Sequence, residues 1–248
     1  MCRLFAVASS EPVRLHRAFA ALRSASHEHK DGWGLAAFDG GSAELQHGTD
    51  SAHVSADFAR LGAERATRRA LVHIRLASVG KVSVENAHPF QRAGWVFMHN
   101  GTVKHFAERR DALLELIAPH HRAAIKGETD SEHCFALFLT ELERHGPHPT
   151  PRQTAQAIGA VMHTVARLFD AGCKAGERSS LNFLASNGPL MVASRRGRTL
   201  FVAGDTRRRL IASDPLWHDD DWSPLAEDEL AIIDGRLELH RLSLAELS

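Results

Sequence analysis

The residue best suited to covalent chemistry is Cys2, which directly follows the initiator methionine. Once Met1 is removed, Cys2 carries both a thiol and a free α-amine. A thiol and an α-amine both titrate near pH 8, so the amine can take the thiol proton through a water molecule. One residue then supplies a nucleophile and its general base. A second residue can also be cysteine by chance, so the prediction depends on what else the chain contains.

An arginine near the end of an apolar strand marks a second chemical position. The segment 73–80 (HIRLASVG) predicts a strand with His73, Arg75 and Ala77 on one face and Ser78 on the other. A guanidinium in an apolar strand needs an anionic partner, and a substrate carboxylate held through two parallel hydrogen bonds would supply one. A structural salt bridge also explains this arginine, and the segment by itself favours the salt bridge slightly.

Asn100-Gly101 follows the predicted strand 95–98 and could supply two donors to one oxygen. The donors are the Asn100 amide and the Gly101 backbone N–H, which no Cβ obstructs. Two convergent donors stabilise an oxyanion, and losing one typically costs about 3 kcal/mol in the transition state. A plain turn is the alternative interpretation of an Asn-Gly pair.

The segment 127–132 (GETDSE) predicts the start of a helix. Thr129 and Glu132 have capping-box spacing, which explains both residues structurally. Asp130 is left as a carboxylate free to bind a cation such as an α-ammonium. Together with the nucleophile, the arginine and the oxyanion donors, it describes a pocket for an amino acid attacked at its side-chain carbonyl.

The composition is that of a globular protein without a strong electrostatic field. Thirty basic and thirty acidic residues cancel, so we expect neither a nucleic-acid nor a membrane partner. The apolar residues occur in short runs, too short to span a bilayer. The N-terminus does not have the pattern of a signal peptide. Three cysteines (Cys2, Cys134 and Cys173) do not suggest a disulfide framework, so a cytoplasmic location is expected.

The elements that must position these residues follow the order strands, helices, strands. Apolar runs predict strands at 2–8, 33–38, 43–47, 71–76 and 95–98, and again at 181–185, 190–193, 200–202, 210–212, 230–233 and 237–242. Helical spacing recurs at 15–22, 106–117, 133–142 and 158–169. This order favours stacked layers of an α+β fold over alternating βαβ units. No linker divides the chain, so we expect one domain over residues 1–248.

With these residues in place, the chain resembles the class II glutamine amidotransferases of the stand-alone YafJ-like type. The resemblance is carried, in chain order, by residues 1–5 (MCRLF), 29–34 (HKDGWG), 73–80 (HIRLASVG), 85–90 (ENAHPF), 99–101 (HNG), 127–132 (GETDSE) and 181–188 (LNFLASNG). It implies the four-layer αββα sandwich of N-terminal nucleophile hydrolases. It also implies that Cys2 attacks the γ-amide of glutamine, that Asn100 and Gly101 form the oxyanion hole, and that water hydrolyses the resulting γ-glutamyl thioester.

The resemblance also assigns the residues that bind the substrate. Arg75, assisted by Ser78, would bind the α-carboxylate. Asp130 would bind the α-ammonium, with the Gly101 carbonyl as a second acceptor. His88 lines the site in the family's pattern, without an assigned chemical role. No cofactor and no metal are implied.

The chain departs from synthase-linked members of the family, which carry Trp and His where this chain has Leu76 and Val79. We expect no ammonia-accepting domain after the glutaminase-like part. The sequence therefore leaves open a separate ammonia-accepting enzyme, simple hydrolysis, and a homodimer. Some compact relatives hydrolyse a γ-glutamyl amide in ergothioneine biosynthesis, so the substrate is glutamine or a γ-glutamyl conjugate.

Two alternatives come from other classes of protein. A metalloprotein is suggested by His27, His29, His120, His121 and the segment 218–221 (HDDD), but these residues have no recognised ligand spacing. A catalytically silent binding or regulatory protein could share the fold. Loss of the nucleophile would be its expected signature, and Cys2 is present.

Overall fold

The computed structural model describes residues 2–76 and 80–247. Its strands are β1 (Arg3–Arg14), β2 (Trp33–Phe38), β3 (Ala43–Gly48), β4 (Ala66–Ile74), β5 (Phe90–Arg92), β6 (Trp95–Thr102), β7 (Ser180–Ser186), β8 (Met191–Arg195), β9 (Phe201–Gly204), β10 (Arg208–Ala212), β11 (Ser223–Pro224), β12 (Glu229–Ile233) and β13 (Leu239–Ser243). Its α-helices are α1 (His16–Ser24), α2 (Ala56–Glu64), α3 (Phe106–Leu114), α4 (Pro119–Ala123), α5 (Asp130–Glu143) and α6 (Pro151–Phe169).

The described strands form two antiparallel sheets. The seven-stranded first sheet has the order β11-β9-β10-β1-β4-β2-β3, and the six-stranded second sheet has the order β13-β12-β8-β7-β6-β5. Because β1 and β4 are antiparallel neighbours with Arg3 opposite Ile74, the beginning of β1 lies beside the end of β4. Strand β1 also packs against β6 of the second sheet. This packing brings three of the segments singled out from the sequence into one region.

Three apolar clusters show how the layers stack. One cluster joins α1 and α2 to the outer face of the first sheet, a second fills the space between the sheets, and a third joins α5 and α6 to the outer face of the second sheet. The order is therefore helix, sheet, sheet, helix. The expected four-layer αββα sandwich is confirmed.

A short 3₁₀ turn at Leu244–Leu247 packs on the helix-covered face of the second sheet. Leu244 and Leu247 are 5% and 7% exposed, and both belong to the cluster that contains α5 and α6. A Cβ added to Gly159 of α6 would lie 3.0 Å from Leu244 Cδ1, so the absence of a side chain there lets the turn approach the helix. The last turn of the chain is thus part of the core.

The predicted elements agree with the structure except at several ends, in two short strands (β5 and β11) and in two helices. Helices α2 and α4 were not predicted, and β6 continues four residues beyond the predicted strand, to Thr102. The expected capping box at the start of α5 forms only in part: Thr129 accepts the Glu132 N–H, whereas the Glu132 carboxylate accepts the N–H groups of Lys126 and Gly127. Among the described helices, none combines the length and the apolar character needed to cross a membrane.

Candidate active site

Cys2 lies immediately before β1, against the backbone that follows β4. The Leu76 N–H donates to the Cys2 sulfur at 3.2 Å, and the thiol faces the Leu76 carbonyl at 3.4 Å. Burial raises the pKa of the Cys2 thiol, although the Leu76 backbone and the nearby Arg75 charge oppose the increase. The thiol is therefore protonated at neutral pH, and its activation requires a base.

Arg75 is the first residue after β4 and is 4% exposed. Its N–H donates to the Gly32 carbonyl at 2.8 Å, and its guanidinium donates to the carbonyls of Lys81 at 3.2 Å and Gly80 at 3.4 Å. Burial lowers the pKa of Arg75, while Cys2 and Asp31 favour its charged form. A buried guanidinium beside the thiol is a suitable anchor for a carboxylate.

Asn100 and Gly101 lie inside β6, where they are opposite Asn182 and Leu181 of β7. The interpretation of Asn-Gly as a turn is therefore wrong. Alternation along β6 puts Asn100 on the same face as Val96 and Met98, which pack between the two sheets. The Asn100 side chain consequently faces the layer that contains β1.

The Gly101 N–H points away from β7. Leu181 donates its N–H to Arg196 at 2.9 Å, so Leu181 and the opposite Gly101 form a pair that does not exchange hydrogen bonds. On the other side of β6, the described part of β5 pairs only with residues from Trp95 to Phe97. The Gly101 N–H is thus directed to the side of β6 opposite β7, beyond the start of β5, which is compatible with a donor to an oxyanion.

Gly101 also permits a close packing that no other residue would. A Cβ at Gly101 would lie 1.9 Å from the Ser180 carbonyl oxygen and 2.4 Å from His99 Nε2. These two atoms are hydrogen-bonded at 2.9 Å, and the acceptor carbonyl places the His99 proton on Nε2. His99 Nδ1 faces the Ser131 hydroxyl at 2.9 Å, so the ring connects β6 to both β7 and α5.

Asp130 is the first residue of α5 and is 3% exposed. Its carboxylate accepts the Val103 N–H at 2.7 Å and the Ser131 N–H at 2.8 Å. Asp130 is therefore already engaged structurally, because it joins α5 to the residue that follows β6. A carboxylate has about four acceptor positions, so an ammonium can still bind to it.

His88 stacks on His73 with 4.4 Å between ring centroids, and its other neighbour is Phe90 at 4.6 Å. Burial lowers the pKa of His73 to about 3, with smaller contributions from His99 and Arg75. Burial also lowers the pKa of His88 well below its ordinary value. Both imidazoles are neutral at pH 7, and a base as weak as His73 is poorly suited to deprotonate a thiol.

Of the residues expected at the site, the structure brings Cys2 and Arg75 together. Asn100 and Gly101 lie on the adjacent β6. Asp130 is hydrogen-bonded to the residue just after that strand. Ser78 lies outside the described residues. Within those residues, two side-chain clusters have metal-ligating geometry, and they include none of the residues expected at the site: one is at α4 and the last residue of α5, the other at β12–β13.

Sequence reasoning missed two positioning residues. One is His99, which the motif HNG contains. The other is Asn182, whose amide donates to the Thr199 carbonyl at 2.9 Å and accepts the Arg196 N–H at 2.9 Å. In both cases the available signal was a polar side chain inside an otherwise apolar strand, and both side chains are 1% exposed or less.

Solved structures of amidotransferases share this fold. A glutamine aminotransferase class-II domain protein from Silicibacter pomeroyi superposes with a TM-score of 0.72 at 23% identity, over 98% of both chains. Glutamine phosphoribosylpyrophosphate amidotransferase from B. subtilis superposes with a TM-score of 0.70 at 18% identity, over 98% of this chain and 49% of that one. The chain thus has the fold of these amidotransferase structures.

Sequence comparison identifies the family. The family model described as "Glutamine amidotransferases class-II" matches residues 1–209, and the chain belongs to this family. A "Putative glutamine amidotransferase" of Haemophilus influenzae is 29% identical over 78% of this chain, and "Putative glutamine amidotransferase YafJ" of Escherichia coli is 27% identical over 78%. "Probable glutamine amidotransferase DUG3" of Saccharomyces cerevisiae is 33% identical over 50%. The matches span 62%, 72% and 37% of these three relatives' own lengths, respectively.

Proposed function

We propose that this protein is a glutamine amidotransferase-like amidohydrolase whose nucleophile is Cys2. The observation that carries the proposal is the position of the Cys2 sulfur against Leu76, beside the buried Arg75, at the paired ends of β1 and β4. Membership in a family of glutamine-using enzymes supports the same chemistry. Catalysis at Cys2 requires that Met1 be removed, because only then is its α-amine free.

In the proposed reaction, the α-amine takes the thiol proton through a water, and the thiolate attacks the γ-amide carbon. A base is needed because burial raises the pKa of the thiol. The tetrahedral oxyanion accepts hydrogen bonds from the Asn100 amide and the Gly101 N–H. Collapse of this intermediate releases ammonia, or an amine, with the transferred proton. Water then hydrolyses the γ-glutamyl thioester to glutamate and regenerates Cys2.

Arg75 and Asp130 would hold the two charged groups of the glutamyl moiety. Arg75 is suited to the α-carboxylate because its planar guanidinium is buried beside the nucleophile. Asp130 is suited to the α-ammonium because its carboxylate is held by the backbone just beyond Gly101. Ser78 is proposed to assist Arg75, on the basis of the resemblance alone.

The proposal leaves two substrate classes, because glutamine and γ-glutamyl amides present the same glutamyl end. A release assay should compare glutamine with a panel of γ-glutamyl amides that differ in the amine. A preference for glutamine would favour ammonia production, for use by a separate acceptor enzyme or by none. A preference for one conjugate, by roughly tenfold in kcat/KM or more, would identify a γ-glutamyl conjugate hydrolase.

The nucleophile itself is tested with an electrophile that mimics glutamine, applied to the purified full chain. We expect a single modification at Cys2, with Cys173 as an internal control because that thiol is also half-buried. Addition of glutamine should slow the labelling by competition. An intact folded protein that is not labelled at Cys2 would contradict the proposal and favour a catalytically silent binding protein.

A further inference from the structure

Two adjacent histidines of α4 meet the last residue of α5. His120 and His121 lie in the middle of the short α4, and Glu143 ends α5. His121 Nε2 is 2.9 Å from Glu143 Oε1, and His120 Nε2 is 3.0 Å from the same oxygen. The sequence alone indicated only the two histidines, because Glu143 lies 22 positions after His121.

We infer that His120, His121 and Glu143 form a binding site for a divalent late first-row metal ion such as Zn²⁺. All three ligand atoms lie within 4.8 Å of one another. A tetrahedral Zn²⁺ with bonds of about 2.0–2.1 Å separates its ligand atoms by about 3.3 Å. Each histidine nitrogen therefore needs to move away from the Glu143 oxygen by only a few tenths of an ångström.

The donor set selects the class of metal. Two imidazole nitrogens and one carboxylate oxygen suit Zn²⁺, Cu²⁺ or Ni²⁺, whereas Mg²⁺ and Ca²⁺ prefer ligand sets made of oxygen alone. On binding, the ion replaces the Nε2 protons that now face Glu143. Each metal-bound imidazole then carries its remaining proton on Nδ1.

The site is both anchored and accessible. The His121 side chain is 4% exposed, whereas those of His120 and Glu143 are 62% and 52% exposed. The start of α4 is fixed to α5 by the Ala118 N–H, which donates to the Thr140 hydroxyl at 3.1 Å. Arg92 donates to the His121 carbonyl at 3.1 Å, which fixes the other side of α4. A preorganised set of this kind binds a metal with little loss of conformational freedom.

The site is independent of the proposed catalytic residues, so its consequence concerns stability. A bound ion would connect α4 to the end of α5, and any ligand that binds only the folded state raises the melting temperature. Titration of metal-free, tag-free full chain with Zn²⁺ should therefore show one site and an increase in melting temperature. Chelator should reverse the increase.

Variants of the ligands provide the test. H120Q, H121Q and E143Q should each weaken Zn²⁺ binding by about tenfold or more. The matched control is H240Q, because His240 belongs to a looser cluster whose ion-pair distances are 3.9 Å. It should leave the affinity unchanged. Because His120 is exposed, H120Q should fold normally. It therefore tests the site even if the more buried H121Q fails to fold.

A spectroscopic measurement identifies the ligands directly. Electron paramagnetic resonance of the Cu²⁺-loaded protein should show two coupled imidazole nitrogens, and one in H120Q. Unchanged Zn²⁺ affinity in both H120Q and E143Q would overturn the inference. An equal loss in H240Q would overturn it as well, because binding would then be a general property of surface histidines.

Discussion

The chemistry of Cys2 depends on two opposing effects on one sulfur. Burial raises the pKa of its thiol, and the Leu76 N–H and Arg75 charge lower it. Since burial dominates, the resting protein holds a thiol that reacts only when a base is present. In the proposed mechanism, the free α-amine of the same residue is that base.

Replacing Cys2 with alanine or serine tests the nucleophile. We expect ammonia release to fall by at least about a thousandfold, since the covalent step is lost. The melting temperature should stay nearly unchanged because the residue is small and only half-buried. Cys173→Ala is the control and should keep full activity. Substantial turnover by Cys2→Ala would exclude the mechanism.

Blocking the removal of Met1 tests the α-amine. A short N-terminal extension should inactivate the protein, whereas the same extension at the C-terminus should not. Mass spectrometry of each protein establishes which residue comes first. Full activity of a form whose mass includes the extension would show that another group takes the thiol proton.

Arg75→Lys tests the carboxylate anchor. A lysine keeps the charge and loses the planar pair of donors, so we expect KM to rise by about 10–100-fold with a smaller change in kcat. Arg69→Lys, in the strand β4 that precedes Arg75, is the matched control and should leave KM as it is. If the two variants have equal KM values, Arg75 serves the structure alone.

Single residues of the site were predictable where the chemistry demanded an unusual residue type, as at Cys2 and Arg75. The hydrogen bond between Val103 and Asp130 was not predictable, because Val103 lies 27 positions earlier in the chain. The direction of the Gly101 N–H could not be predicted from the sequence either. It follows from the register between β6 and β7, which no local pattern encodes.

Strand β6 is the element that connects the chemistry to the fold. It continues through His99 and Asn100 although both are polar, because each side chain has a specific place: His99 bonds to β7 and faces α5, and Asn100 faces the inter-sheet layer. Periodicity ended the predicted strand at residue 98 for the same reason. Buried polar side chains interrupt the apolar signal without interrupting the hydrogen bonding of the strand.

Gly101→Ala tests the close approach of β6 and β7. The new Cβ would lie 1.9 Å from the Ser180 carbonyl oxygen, so the strands must separate. We expect the free energy of unfolding to fall by about 1–3 kcal/mol and activity to be lost as the His99–Ser180 hydrogen bond breaks. Gly235→Ala is the control, since its nearest contacts are at 3.9 Å. Denaturant titration and the release assay measure both effects, and normal values for Gly101→Ala would contradict the geometry.

Helices α2 and α4 were not predicted from the sequence for a different reason. Helix α2 has a clear N-cap, where Ser55 accepts the Phe58 N–H, but its buried residues are only Phe58, Leu61 and Gly62. Helix α4 has five residues, too few for a period to be recognised. Long helices such as α6, with its complete Thr150–Gln153 capping box, are predictable because many positions repeat the same pattern.

The layered packing places two histidines where burial disfavours their charged form. His73 and His88 are 0% and 5% exposed and have lowered pKa values, chiefly through burial. The unfolded chain binds protons at these residues below about pH 6.5 and the folded protein does not. Stability is therefore complete above that pH and decreases as the pH falls toward 3, the folded pKa of His73.

A measurement of unfolding free energy against pH tests this linkage. Between pH 6.5 and 5, His73 alone should cost about 2 kcal/mol of stability, because each proton is worth about 1.4 kcal/mol per pH unit. His73→Leu should reduce the slope by about one proton. His218→Gln, which changes an exposed histidine, should keep the original slope. A slope that is the same in all three proteins would show that other groups cause the acid sensitivity.

The buried turn at Leu244–Leu247 is an indicator of the integrity of the whole helical layer. Its two leucines can reach the binding cleft of a protease only after they leave α6. Proteolytic cleavage within this turn should therefore be slow in the native protein and should accelerate when that layer opens. The rate of cleavage would then measure how often the second sheet loses its covering helices.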